Sequence, residues 1–271
     1  MYESYKILNT VSFVSRLILY YFMNYDPIIS NQTIENVTLK YELGIIPCML
    51  CMNVIENIVN FLLLIFVVVQ FYESNHFSFN TYLTELESKF IILNICNAFS
   101  LITFVMGEDV TIVISVFCLL FELSILFVVM RQCNFFNKSK KWYEKLYGDF
   151  PLSIYFGWTL IYFFVKLMIC IRFYTDYDNK DIIFLCILFL IGVINSLILF
   201  YMKNYYTILV YFYYSVLYIV RNKSETIGLY GGICCISLYL ILYIAYLIIK
   251  FKREKEEKIN DDEYKRMEEV I

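Results

Sequence analysis

Eight apolar runs, each near the length of a bilayer crossing, restrict what this chain can fold into more than any other feature. A helix rising about 1.5 Å per residue needs roughly 20 apolar residues to span the hydrocarbon core. Inside lipid every backbone N–H and C=O must be satisfied within the segment, so such runs read as helices. The runs are Ile7–Met23, Ile45–Phe71, Phe90–Met106, Thr111–Met130, Pro151–Phe173, Ile182–Met202, Tyr206–Val220 and Ile227–Ile249. Tyr206–Val220 is the shortest. Ile7–Met23 lacks a basic leader and a small-residue cleavage site, so it reads as a retained first helix rather than a signal peptide. The expected fold class is therefore all-α: a polytopic transmembrane bundle of about eight helices.

Composition agrees with this reading. The chain is 61% hydrophobic and 17% charged, against about half and about a quarter in soluble domains. Its formal net charge of −3 and the absence of a basic stripe exclude a nucleic-acid partner from the expectations. The charges that exist are distributed unevenly. With eight spans, fifteen Lys and Arg fall on the side holding both termini and four fall on the other side. The positive-inside rule then places the N- and C-termini in the cytosol. The sequons at Asn31, Asn36 and Asn222 lie on the opposite side, as glycosylation would require, while the one at Asn137 is cytosolic.

Ionisable residues at membrane depth are costly and face the bundle interior or water. Arg16, Glu56, Glu122 and Lys166 are such residues, and matching depth favours a Glu56–Lys166 pair. Asn53, Glu56, Asn57 and Asn60 share one helical face, as do Asn94, Asn97 and Ser100. Two readings stay open for these stripes: interhelical hydrogen bonding, or a polar cavity between the second, third and fifth spans. Cys48-Met-Leu-Cys51 has redox-motif spacing, but no second accessible cysteine pair accompanies it, and buried small hydrophobes are the expectation. The single His76 has no neighbouring cysteines or acids, which argues against a metal site. No cofactor is assigned and no catalytic residues are expected. Trp158 lies among Tyr155, Phe156, Tyr162 and Phe163, a run suited to an apolar pocket or to lipid.

The segment Asp149-Phe-Pro-Leu-Ser-Ile-Tyr-Phe-Gly-Trp158 resembles the Pro-Phe-Ser-x-Tyr-x-Gly-Trp segment of longer relatives of the tryptophan-rich sensory protein / translocator protein family. Leu43-Gly-Ile-Ile-Pro47 is similar to that family's proline entry to its second helix, and Phe90–Asn97 to its Asn-containing third helix. The family's Ala and Asn after the fifth-helix Trp fall here at Tyr162 and Lys166. The resemblance implies a five-helix core over residues 1–173. Residues 174–249 would add three helices and 250–271 a charged cytosolic tail, helical or disordered. It also implies a sterol, a porphyrin or another apolar small molecule as ligand. The expected function is non-enzymatic binding or translocation of a small hydrophobic or amphipathic molecule. Its interior residues would be Arg16, Asn53, Glu56, Asn57, Asn60, Asn97, Glu122, Trp158 and Lys166. An ion- or proton-coupled transporter using the intramembrane charges, or a structural membrane protein, are the alternatives. The expected location is an endomembrane or the plasma membrane.

The basic asymmetry predicts that tags at both ends of the chain are digested by protease added to the cytosolic face of sealed vesicles. Protection of one end would mean an odd number of spans, with Tyr206–Val220 the segment that fails to cross.

Overall fold

A computed structural model describes residues 2–25, 33, 34, 37, 49–72, 80–86, 88–133, 141–174, 180–202, 206–221 and 226–268. Every regular element among them is helical. We number them α1 (Tyr2–Tyr25), α2 (Met49–Val69), α3 (Asn80–Leu86), α4 (Lys89–Met106), α5 (Asp109–Gln132), α6 (Phe150–Tyr174), α7 (Lys180–Met202), α8 (Thr207–Arg221) and α9 (Thr226–Glu268). Each of the eight apolar runs coincides with one of these helices, the start of the second lying outside the described residues. The short α3 in the connection after α2 had no apolar run to announce it. Asn31, Asn36, Cys48, His76, Asn137 and Asn222 lie outside the described residues.

Among the described residues, five segments are long and apolar enough to cross a membrane: Met52–Val69, Lys89–Met106, Asp109–Gln132, Trp142–Ile171 and Leu229–Lys252. The apolar stretches Cys186–Ile198 and Thr207–Val220 are shorter. α1 has ample length at 24 residues, but Lys6, Asn9 and Arg16 interrupt its apolarity. α9 runs unbroken for 43 residues. At about 1.5 Å per residue its last sixteen residues carry the helix roughly 24 Å past the membrane-spanning stretch.

Local chemistry sets the turns. α4 and α5 form a tight antiparallel hairpin because Gly107 ends α4 with φ 66° and donates its N–H to the Phe104 carbonyl. Only a residue without Cβ takes that left-handed position at no steric cost. Thr111 then caps α5, its hydroxyl accepting from the Glu108 N–H at 3.1 Å and donating to the Glu108 carbonyl at 2.8 Å. α6 is entered through the turn Trp142–Glu144 and a π-helical turn, Lys145–Asp149. Such turns occur as local widenings inside α-helices.

α6 is the axis of the bundle. Every residue from Pro151 to Ile161 is buried, so this stretch faces protein on all sides. α2, α5, α7 and α8 pack around it, while α4 joins through α5, and α1 packs on α4 and, less extensively, on α2. Lipid-facing positions are apolar: Ile7, Val11, Val14 and Ile18 on α1 are exposed and share one face. The last three helices form a tyrosine-rich part of the core. Tyr211 donates to the Leu188 carbonyl at 3.2 Å and packs its ring 4.6 Å from that of Tyr239.

Close approach of α6 and α8 depends on Gly157. A Cβ there would sit 3.2 Å from Val210 Cβ and 3.3 Å from the Thr207 backbone. Because two of those atoms are backbone, the helices themselves would have to separate. Gly157→Ala is expected to destabilise the protein by about 1–3 kcal/mol, the usual cost of overpacking. Denaturant unfolding in detergent measures it, and an unchanged midpoint would show that the α6–α8 contact is loose.

Candidate functional site

The stripe Tyr155, Thr159, Tyr162 and Lys166, at spacings of four, three and four, lies on one face of α6. This face meets α4 and α5, and there the buried charges are found. Glu122 of α5 has no exposed surface. Its carboxylate accepts from the Tyr155 hydroxyl, from Asn97 Nδ2 at 3.2 and 3.3 Å, and from the Thr159 hydroxyl at 3.4 Å. Two helices, α4 and α6, thus supply its hydrogen bonds. Charge-assisted bonds of this kind are about twice as strong as neutral ones, which offsets much of the cost of removing the carboxylate from water.

Lys166 is equally enclosed. Its ammonium donates to Ser115 Oγ at 2.8 Å, to Ser100 Oγ at 2.9 Å and to the Ser100 carbonyl at 3.2 Å. The rings of Phe104 and Tyr162 lie 4.5 and 4.8 Å from Nζ, at cation–π distance. Three oxygens match three N–H groups. Trp158 stacks on Tyr162 at 5.8 Å with planes 16° apart, which continues the aromatic ladder up α6.

Arg16 of α1 reaches across to α2, donating from Nη2 to Asn60 Oδ1. Its guanidinium carbon is 5.4 Å from the Phe13 ring and 5.5 Å from the Tyr155 ring. A second link between the same helices, Asn9 Nδ2 to Gln70 Oε1 at 3.2 Å, lies further along them.

The polar stripe on α2 is divided. Asn60 is buried against Arg16, whereas Asn57 is exposed at the rim and accepts from the Tyr21 hydroxyl at 3.2 Å. Asn53 is half-buried. Glu56 lies within electrostatic reach of Arg16, Lys166 and Glu122. It has no hydrogen-bond partner among the described residues and makes no direct ion pair with Lys166, whose own bonds go to Ser100 and Ser115. Glu56 is half-buried, yet the residues flanking it on α2's inner face (Met52, Val59, Asn60 and Leu63) are each at most 5% exposed.

Sequence reasoning singled out all four charges but missed the groups that hold them. Ser100 reads as one of the third span's polar stripe and Tyr155 as part of an aromatic run, while neither Ser115 nor Thr159 carries a signal of its own. The i, i+4, i+7, i+11 spacing of Tyr155, Thr159, Tyr162 and Lys166 was a usable signal. In the third span, hydrogen bonding accounts for the stripe: Asn94 donates to Ser12 Oγ at 3.2 Å, Asn97 to Glu122, and Ser100 meets Ser115 Oγ at 3.2 Å.

Apolar helices around an axis carrying buried, hydrogen-bonded charges define an α-helical integral membrane protein. The family model described as TSPO-like protein matches residues 6–250, and the chain belongs to that family. No curated protein and no solved structure matches it.

Glu122→Leu should strand the Tyr155 hydroxyl, Asn97 Nδ2 and the nearby cations, destabilising the fold by roughly 3–5 kcal/mol. Glu122→Gln keeps an acceptor in place and should cost distinctly less. Equal unfolding midpoints for the two variants would show that the hydrogen-bond cage contributes nothing.

Proposed function

We propose that this protein binds, and in doing so moves or presents, a small hydrophobic or amphipathic molecule inside the helical bundle, without catalysing a reaction on it. The observation that carries the proposal is Glu56: a half-buried carboxylate beside buried Met52, Val59 and Asn60 on α2, without a hydrogen-bond partner among the described residues. Glu122, Lys166 and Arg16 have their own partners, whereas the Glu56 carboxylate can still accept from a donor. Asn53 and Asn60 flank it, and the half-buried Tyr162, stacked on Trp158, lies on the neighbouring face of α6. Pockets for small molecules combine an apolar lining with a few placed polar groups, which is the composition here. Asn97 and Glu122 support that lining from α4 and α5. Asn57 belongs to the rim.

The mutual electrostatic reach of Arg16, Glu56, Glu122 and Lys166 favours a second reading, a transporter driven by ions or protons. Such a protein would lose function when Glu56 and Lys166 are neutralised together, whereas a ligand pocket would still bind. We further infer from the basic asymmetry that both termini face the cytosol, in an endomembrane or the plasma membrane.

Native mass spectrometry of the protein purified from its membrane tests the first reading. A discrete small-molecule adduct is expected on the wild type and absent from Glu56→Leu of unchanged thermal stability. No adduct, or one indifferent to Glu56, overturns the assignment.

A further inference from the structure

We infer that bound water threads the seam between α1, α2 and α4, from the N-terminal end of α1 inward to Glu122, and carries protons between that end of the bundle and the buried carboxylate. The route is separate from the Glu56 site and holds whatever molecule that site takes.

Five buried polar atoms carry the inference. Asn9 Oδ1, Arg16 Nε, Asn60 Nδ2, Gln70 Nε2 and Asn94 Oδ1 have no hydrogen-bond partner among the described residues. Polar atoms left unsatisfied away from solvent are costly, and internal water, making about three hydrogen bonds each, is their usual remedy. Reassigning the amides does not remove them. Exchanging O and N in both Asn9 and Gln70 keeps their mutual bond and again leaves one donor and one acceptor over. Three of the five atoms donate and two accept, and water serves both.

The polar groups of the seam follow one another inward. At its outer end Lys6 is 2% exposed and pairs at 2.8 Å with Glu3, whose side chain reaches solvent. Asn9, on the next turn, donates to Gln70. The Ser12 hydroxyl donates to the Asn9 carbonyl at 3.0 Å and accepts from Asn94 at 3.2 Å. Asn97 stands one turn beyond Asn94 on the same face of α4, roughly 4.5 Å along the axis, and donates to Glu122 at 3.2 Å. One or two waters cover that step, each hydrogen bond being about 2.8 Å. Arg16 and Asn60 close the inner end, Arg16 beside the Tyr155 ring whose hydroxyl donates to Glu122.

The amides hold such a file without titrating, and Glu122 is the group at its end that takes a proton. A proton entering the first water releases one from the last onto a Glu122 oxygen, so one O–H bond forms there for the one broken. The titratable groups facing Glu122 are Arg16 of α1, Glu56 of α2, Cys96 of α4, Cys118 of α5, and Tyr155 and Lys166 of α6. Lys166 commits its three donors to Ser100 and Ser115, so the line stops at the carboxylate.

Two measurements on the full chain in lipid nanodiscs test this. Radiolytic footprinting reads the water, because radicals formed from bound water oxidise the side chains beside it. Phe13 and Phe90, each 0% exposed and next to Ser12 or one turn from Asn94, should be oxidised in the wild type and protected in Asn94→Leu. Infrared spectroscopy after a rapid drop in pH reads the proton, through the Glu122 carboxylic-acid band that Glu122→Gln lacks. That band should grow about tenfold more slowly in Asn94→Leu, equal to about 1.4 kcal/mol of barrier. Asn195→Leu removes a buried amide of α7, off the seam, and should leave the rate unchanged. Gln70→Leu interrupts the file at its outer end and decides if Asn94→Leu fails to fold. Protected Phe13 and Phe90 in the wild type, a Glu122 that takes up no proton, or wild-type rates in the folded seam variants overturn the inference.

Discussion

An ammonium and a carboxylate shut inside a membrane bundle have no water to return to, so protein groups must replace their hydration. Lys166 and Glu122 meet that requirement separately and not through each other. The ammonium is wrapped by two serines, a carbonyl and two aromatic faces; the carboxylate takes a tyrosine, an asparagine and a threonine. Each set of partners comes from more than one helix. Satisfying these two charges therefore fixes the rotation and depth of α4, α5 and α6 together, something that apolar packing against equally apolar lipid does only weakly. Arg16 repeats the device between α1 and α2 through Asn60. The remaining helices are added on the other side of α6, where Gly157 lets α8 approach closely.

Secondary structure was almost wholly legible in the chain, because the length of an apolar run and the need to satisfy the backbone inside lipid leave little choice. All eight expected runs are helical, including the short Tyr206–Val220. What the runs could not convey was α3, seven residues in a connection, and the continuation of α9 to Glu268, where a helix persists after the apolar residues end. Propensity and alternating charges hold such an extension, and neither leaves a hydropathy signal.

The site was legible by identity but not by pairing. Depth along the membrane normal can be counted from the sequence, and it put Glu56 level with Lys166. Rotation about each helix axis cannot be counted in the same way, and it is rotation that turns Lys166 toward Ser100 and Ser115. Small hydroxyls bond their own helix carbonyls as readily as a neighbour's, so nothing marks in advance which serine will receive an ammonium. Asn57 illustrates the same limit. It shares a stripe with Asn60, yet a turn of some 60° about α2 separates a buried arginine partner from a rim tyrosine.

The enclosure of α6 bears on how the protein is made. α6 is apolar and buried on every side from Pro151 to Ile161, but it carries Lys166, which lipid alone does not accommodate. Moving a lysine or an acid alone to the bilayer centre costs about 2.5–3.5 kcal/mol even on insertion scales. Yet the groups that relieve Lys166 are on α4 and α5, which are synthesised first. The chain order thus supplies the receptor before the guest: an α4–α5 hairpin, closed at Gly107, emerges with its serines waiting, and α6 enters the membrane against a partner already in place. Biogenesis of this bundle is directional because of where one lysine falls.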